Sequence, residues 1–237
     1  MDTPPLVRLP ASRAVSELGA HLGTLTTITI WHDFLCPWCW VALIQAEKLS
    51  AEFGVTFDWR GAELFPPALQ EQMPAPKPPA PPVEPVAPKP PPSRFDLFAE
   101  AEGATPPRKP PFRNMRPALL ATEYIAVRHG QAAASEYVAR VYRAYWDLES
   151  DISDVAVLSL LADGVANVDS NALTRSVDAS EFAANILQFD DDAYAAGIRH
   201  VPTFVFGGEE RLAEASYASL AHATERFLIR TEKYRSQ

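Results

Sequence analysis

The feature that most limits what this chain can fold into is a short strand that runs through two cysteines directly into a helix. Ile28-Thr-Ile-Trp31 is β-branched and aromatic, apolar on both faces, and reads as a strand in the middle of a sheet covered by helices. After Cys36 the apolar residues Trp40, Val41, Leu43, Ile44, Leu49 and Phe53 recur at helical spacing, and Gly54 supplies the stop. Val55-Thr-Phe-Asp-Trp59 then alternates as a second strand. Strand, helix and strand within about thirty residues make a βαβ unit, with parallel strands joined by a right-handed crossover.

The remainder of the chain divides by composition. Residues 1–25 read as a loosely ordered N-terminal arm. Between Pro74 and Pro92 more than half the residues are proline, which excludes helix and central strand and leaves an extended segment reaching up to about 60 Å. Residues 67–112 are therefore assigned to a proline-rich insertion, irregular again at Pro106–Pro111, with Phe95, Leu97 and Phe98 as a short apolar anchor. A solvated insertion is the plain reading of this stretch; a ligand for a proline-recognising protein partner is the sharper one.

Helical periodicity returns at Pro117, a suitable first-turn residue, with Leu119, Leu120, Tyr124 and Val127 on one side and Gly130 as the stop. A second helix is expected over 133–148, a third from Asp151 or Ser153 to Gly164, and a short one over 172–177. Asp178 with Glu181 resembles a capping box and predicts a further helix to Gly197. Residues 113–197 thus read as an all-helical domain with no strand. Thr203-Phe-Val-Phe206 is a strand, Gly207-Gly208 a hairpin turn, Arg211-Leu212 the returning strand and 216–231 a last helix. The fold class is α/β, in the order β-α-β, a helical insertion, then β-β-α.

The 237 residues are 47% apolar and 10% aromatic, enough for a packed core. A net charge of −9 argues against nucleic acid as a partner, since phosphate binding needs clustered Lys and Arg, and against an anionic membrane surface. No run of eighteen apolar residues occurs, and the first twenty-five residues lack the apolar core of a secretory leader, so a cytoplasmic location is expected.

Cys36 and Cys39 are the two cysteines of the chain. A disulfide between them would close too small a loop to stabilise a fold, so they are read as chemistry. Cys36 at the end of a buried strand and the start of a helix meets free backbone N–H groups and the positive end of the helix dipole, which favours its thiolate. Pro37 suits the first helical position, where a missing N–H costs nothing. Cys36 is the expected nucleophile, and Cys39, one turn later, the resolving thiol. Half of a zinc site is the alternative, but no second ligand pair stands at suitable spacing, which leaves only a zinc ion shared across a dimer. No metal and no bound cofactor are expected.

Val201-Pro202-Thr203 is the second signal. A proline at the start of a strand serves a turn or a cis bond, and from these three residues alone a trans proline fits equally well. With the cysteine pair and the βαβ order upstream, the cis reading is favoured. Val201, Pro202 and Trp38 are then candidate substrate-binding residues, with a backbone edge on which an extended segment can pair.

The tracts Trp31-His-Asp33-Phe-Leu-Cys36-Pro-Trp-Cys39, Ala144-Tyr-Trp146 through Ile152-Ser-Asp154-Val-Ala-Val-Leu158, and Gly197-Ile-Arg-His-Val201-Pro202-Thr203-Phe204 resemble the DsbA-like thioredoxin-fold family, and most its FrnE-type cytoplasmic branch. The resemblance spans about two-thirds of the chain. It implies a thioredoxin-like domain over 26–66 and 198–237 with a helical domain over 113–197 inserted, Pro202 as the cis-proline, and a protein disulfide oxidoreductase or isomerase acting on thiol or disulfide proteins or on glutathione. A related branch, glutathione-dependent isomerases or transferases of small aromatic acids, is the alternative; it usually has serine at the place of Cys36. Many thioredoxin-like proteins hold a buried acid six residues before the first cysteine, and here that residue is Ile30. Asp33 is read as a cap of the turn and stands outside the catalytic set. The second cysteine pair of some FrnE-type proteins is absent.

Overall fold

The computed structural model describes residues 26–70, 91–105, 110–165 and 167–235. The expected N-terminal arm and most of the proline-rich tract lie outside the described residues. Thr27–His32 (β1) pairs in parallel with Thr56–Glu63 (β2), Thr27 opposite Thr56 and His32 opposite Gly61, and Pro37–Phe53 (α1) connects them. Helix α1 opens with Pro37 in its first turn. It stops at Gly54, whose φ of 67° lets its N–H reach the Ser50 carbonyl at 2.9 Å. On β1, Ile28, Ile30 and His32 are buried while Thr29 and Trp31 are half-buried, so the strand is less evenly two-sided than its composition implies.

The insertion holds order of its own. A single turn, Pro67–Gln70 (α2), follows β2, and Arg94–Ala101 (α3) forms a helix where only a short anchor was expected. Ser93 and Asp96 close a reciprocal capping box at its start, Ser93 Oγ accepting from Asp96 N–H at 3.1 Å and the Asp96 carboxylate from Ser93 N–H at 2.7 Å. Glu102, buried just beyond α3, fastens the helix to the rest. It accepts from Gln45 Nε2 at 3.0 Å and from the Tyr217 N–H at 3.1 Å, and its carbonyl accepts from Lys48 Nζ at 2.7 Å.

Arg116–His129 (α4), Gln131–Trp146 (α5), Val155–Asp163 (α6) and Ser170–Asp178 (α7) follow much as the periodicity predicts. Val127, expected on the inner side of α4, is exposed. The larger departure comes after Asp178. Instead of a helix to Gly197, the chain turns at Ser180, whose φ is 51°, because Glu181 is drawn back to Ser176 Oγ (2.7 Å) and to Arg128 (2.6 Å). It then forms Leu187–Gln188 (β3), which pairs in parallel with Ala62 and Glu63 of β2. The inserted segment therefore adds a strand to the sheet, against the expectation of a block without one. Gly61, beside this pairing, packs closely: a Cβ there would touch the Ile186 and Leu119 side chains at 3.4 Å.

A short helix, Asp191–Ala195 (α8), leads to Thr203–Phe206 (β4), antiparallel to β1, and Glu210–Ala213 (β5), antiparallel to β4. Gly207 and Gly208 turn the hairpin with φ of 64° and 81°. Tyr217–Arg235 (α9) closes the fold. The sheet order is β3-β2-β1-β4-β5, and the core between it and the helices is filled by Trp59, Phe204, Phe206, Tyr137 and Tyr142. Among the described residues no helix is long and apolar enough to cross a membrane.

Glu102 makes a stability prediction. Glu102→Ala leaves the buried Gln45 amide and the Tyr217 N–H short of an acceptor, at a cost of about 1–3 kcal/mol. Urea unfolding is expected to show a lower midpoint with an unchanged slope; a loss under about 0.3 kcal/mol would mean that this carboxylate does not fasten the insertion.

Candidate active site

Cys36 is the residue immediately before α1, with extended backbone (φ −77°, ψ 118°), and its carbonyl accepts from the Cys39 N–H at 3.1 Å and the Trp40 N–H at 3.2 Å. No side chain caps this helix start. The Cys36 thiol donates to the Val201 carbonyl at 3.3 Å. The Val201–Pro202 bond is cis, as the combined motifs lead one to expect. Cys36, Cys39, Val201 and Pro202, far apart in sequence, thus meet where β1 passes into α1 beside the start of β4.

The two sulfurs differ in access. Cys36 retains 7% of its surface, whereas Cys39 is fully buried and both are free thiols. Burial pushes the Cys39 thiol well up, the hydrogen bond and charge of Cys36 add to this, and a backbone hydrogen bond from Asp33 opposes it. An incoming disulfide can therefore reach Cys36 first.

The loop between β1 and α1 is held by α5. Tyr142 Oη donates to the Asp33 carbonyl at 3.1 Å, and Trp146 Nε1 donates to the Phe34 carbonyl at 2.9 Å. His32 Nδ1 lies 2.9 Å from the same Tyr142 oxygen. Since that hydroxyl gives its one proton to Asp33, Nδ1 carries the ring proton and Nε2 is the bare nitrogen. Burial lowers the His32 pKa to about 3.

Asp33 caps the turn as expected, Oδ1 accepting from the Leu35 N–H at 2.9 Å. It does more. Oδ2 accepts from the Leu64 N–H at 2.8 Å, joining the ends of β1 and β2, and the side chain is buried beside the cysteines. Burial raises its pKa to about 6, the two backbone hydrogen bonds opposing and the Glu63 charge assisting. Nothing in the spacing around Asp33 signals this burial, because Leu64 reaches it only through the tertiary fold. Glu63 is itself buried and paired with Arg116 at 2.6 Å, yet burial still holds its pKa above the usual carboxylate value.

Trp38, expected to face substrate, is half-buried under the insertion. Its ring lies 4.7 Å from that of Phe98 and 5.6 Å from that of Phe95, and the Arg94 guanidinium sits 5.0 Å over it. On the other side of the turn, Phe65 and Phe112 meet edge to face at 5.8 Å, closing the two ends of the insertion near Leu35.

The family model for the DSBA-like thioredoxin domain matches residues 27–224. The chain belongs to the DSBA-like thioredoxin family. A search among curated proteins found no match. Solved structures share the fold at low identity. A probable DsbA oxidoreductase from Streptomyces coelicolor is 20% identical with a TM-score of 0.60, covering 85% of this chain and 89% of its own. A 2-hydroxychromene-2-carboxylate isomerase is 18% identical with a TM-score of 0.60, covering 88% and 99%. The cytosolic disulfide reductase DsbM from Pseudomonas aeruginosa, solved with GSH, is 15% identical with a TM-score of 0.54, covering 89% and 100%. These likenesses concern the DSBA-like fold; the chemistry has to be argued from the residues. Among the described residues no group of three or more His, Cys, Asp or Glu side chains stands together as a metal site.

His32 and Asp33 pull the pH dependence of stability in opposite directions. Asp33, with a raised folded pKa, contributes fully below its unfolded value near 3.8 and loses that contribution as pH rises through about 6. His32, with a lowered one, contributes fully above 6.5 and loses it as pH falls toward about 3. Over its full range the effect is about 3 kcal/mol for Asp33 and about 5 kcal/mol for His32. Urea unfolding of the reduced protein between pH 4 and 6 is therefore expected to give steeper loss of stability with rising pH in His32→Phe than in the wild type, and a steeper gain in Asp33→Asn. Three parallel curves would show that neither group titrates out of its ordinary range.

Proposed function

We propose that this DSBA-like protein is a thiol–disulfide oxidoreductase that cycles Cys36 and Cys39 between dithiol and disulfide. The observation that carries the reading is the pairing, at the start of α1, of a cysteine that keeps 7% exposure with one fully buried, the outer thiol lying against the carbonyl that precedes a cis-proline. In the reducing direction the Cys36 thiolate attacks one sulfur of a substrate disulfide. The substrate S–S bond breaks, a Cys36 mixed disulfide forms, and the first substrate thiolate leaves with the electron pair. Cys39 then attacks the Cys36 sulfur and releases the second thiolate. The substrate gains two electrons and two protons; the two cysteines lose them. The opposite direction reverses each step.

The roles follow from position. Cys36 is the nucleophile and Cys39 the resolving thiol; Pro37 starts the helix; Val201 and Pro202 offer a backbone edge for the substrate segment, with Trp38 at its side. Protein thiols and glutathione are the candidate substrates. The likeness to a cytosolic disulfide reductase solved with GSH supports glutathione as co-substrate and the cytoplasm as compartment, and the absence of stapling cysteines agrees with that compartment. The similar fold of the carboxylate isomerase favours a second reading, glutathione-dependent isomerisation. A resolving thiol would be superfluous there, so Cys39 weighs toward redox exchange.

Equilibration in graded glutathione buffers, read by mass after thiol alkylation, tests this directly. A reversible two-electron transition to an intramolecular disulfide is expected, and its midpoint defines the favoured direction. Cys39→Ser should accumulate a mixed disulfide at Cys36, and Cys36→Ser should form none. A wild type that stays dithiol throughout would overturn the redox reading in favour of the isomerase one.

A further inference from the structure

The chain carries a net charge of −9, yet exposed basic residues stand at both sides of the reactive sulfur. Arg199 and His200 are exposed and immediately precede Val201. Arg94, from the insertion, has an 80% exposed side chain and lies over Trp38, two residues from Cys36. Its Nη2 donates to Glu214 Oε2 at 3.1 Å, and the Glu214 N–H in turn donates to the Pro202 carbonyl at 3.2 Å. The guanidinium therefore links Trp38, two residues after Cys36, to a residue tied to the cis-proline.

Stability gives only a modest reason for a cation there, a cation–π contact with Trp38 and an exposed ion pair with Glu214. Arg94 is the first residue of α3, where the helix dipole disfavours positive charge. An ion pair this exposed contributes only about 0–1 kcal/mol. Five N–H donors are available on the guanidinium, and the described residues take one of them by hydrogen bond, the stacking on Trp38 using the face and leaving the edge open. The residue whose carboxylate Arg94 now holds is itself hydrogen-bonded through its backbone N–H to the Pro202 carbonyl.

We propose that Arg94 is a substrate-recognition residue for a disulfide partner bearing a carboxylate, and that Glu214 competes with that carboxylate for the guanidinium. The proposal rests on the oxidoreductase reading above. It assigns to the insertion a part in substrate choice: the thioredoxin-like framework supplies the thiols, and α3 supplies the anion site.

The test is the ratio of kcat/KM for reduction of glutathione disulfide, which carries carboxylates, to that for neutral 2-hydroxyethyl disulfide. Arg94→Gln is expected to lower this ratio about fivefold, mainly through KM, and Arg94→Lys to restore part of it. Glu214→Gln should raise the ratio about twofold, and added salt should lower it in the wild type. Two short peptide disulfides with aspartate or asparagine beside cysteine separate the sources: an Arg94→Gln effect on the aspartate peptide as well as on glutathione assigns acidic polypeptides, and an effect on glutathione disulfide alone assigns a small thiol. An unchanged ratio in Arg94→Gln would overturn the proposal. So would a ratio that falls in Glu214→Gln as it does in Arg94→Gln, since the pair would then be a clamp. Failure of the oxidoreductase reading itself looks different, as no exchange by the wild type with either disulfide.

Discussion

Everything at the reactive turn depends on two carbonyls. As β1 leaves the sheet at Asp33 and Phe34, its backbone can no longer find ladder partners, and it is too buried for water. An unsatisfied buried carbonyl costs about 1–3 kcal/mol. Trp146 on α5 supplies the donor for Phe34, and Tyr142, one helical turn before it, supplies a second donor for Asp33, whose carbonyl also accepts from the Cys36 N–H at 3.1 Å. Both rings also fill the core around Phe34, with Tyr142 4.8 Å from it. The inserted helices are thus the floor of the active turn rather than an appendage: without α5 the loop would have no fixed path, and Cys36 no fixed place before α1.

The same burial shapes the charges. Buried ionisable groups beneath the thiols are either kept neutral or given partners. His32 is held uncharged against aromatic rings, Glu63 is matched by Arg116, and Glu123 accepts from the Gly61 N–H and pairs with Arg60. Asp33 stands between these cases, with two backbone donors but no cation, and its raised pKa follows from that imbalance. A negative charge at Asp33 also disfavours the Cys39 thiolate, which helps to keep the inner sulfur protonated while the outer one meets substrate.

How much of this was legible in the sequence follows from how local each signal is. The βαβ unit, the stop at Gly54, the hairpin at Gly207-Gly208 and the cis-proline beside Cys36 are written in adjacent residues or in one motif combination. Strand β3 is two residues long, and its pairing with Ala62 and Glu63 joins segments more than a hundred residues apart, which no periodicity reports. The apparent capping box of Asp178 and Glu181 failed because Glu181 found Ser176 and Arg128 instead. Helix α3 has a real start signal in Ser93 and Asp96, masked by the proline-rich tract before it, so that only its apolar residues Phe95, Leu97 and Phe98 stand out. Asp33 was recognised as a cap but not as a buried acid, since its second partner, Leu64, lies thirty-one residues on.

Trp38 is where the strand–helix junction meets the insertion. A tryptophan between the two cysteines is an apolar surface at the site of attack, and left bare it would offer an unselective contact to any apolar segment. Here Phe95 and Phe98 cover part of it and Arg94 lies over its ring, so the surface next to Cys36 becomes half aromatic and half cationic. That change costs the framework nothing, because α3 is anchored separately through Glu102 to Gln45, Lys48 and Tyr217. The strand–helix junction and the cis-proline thus position the two thiols, and the insertion, anchored independently, supplies the surface beside them.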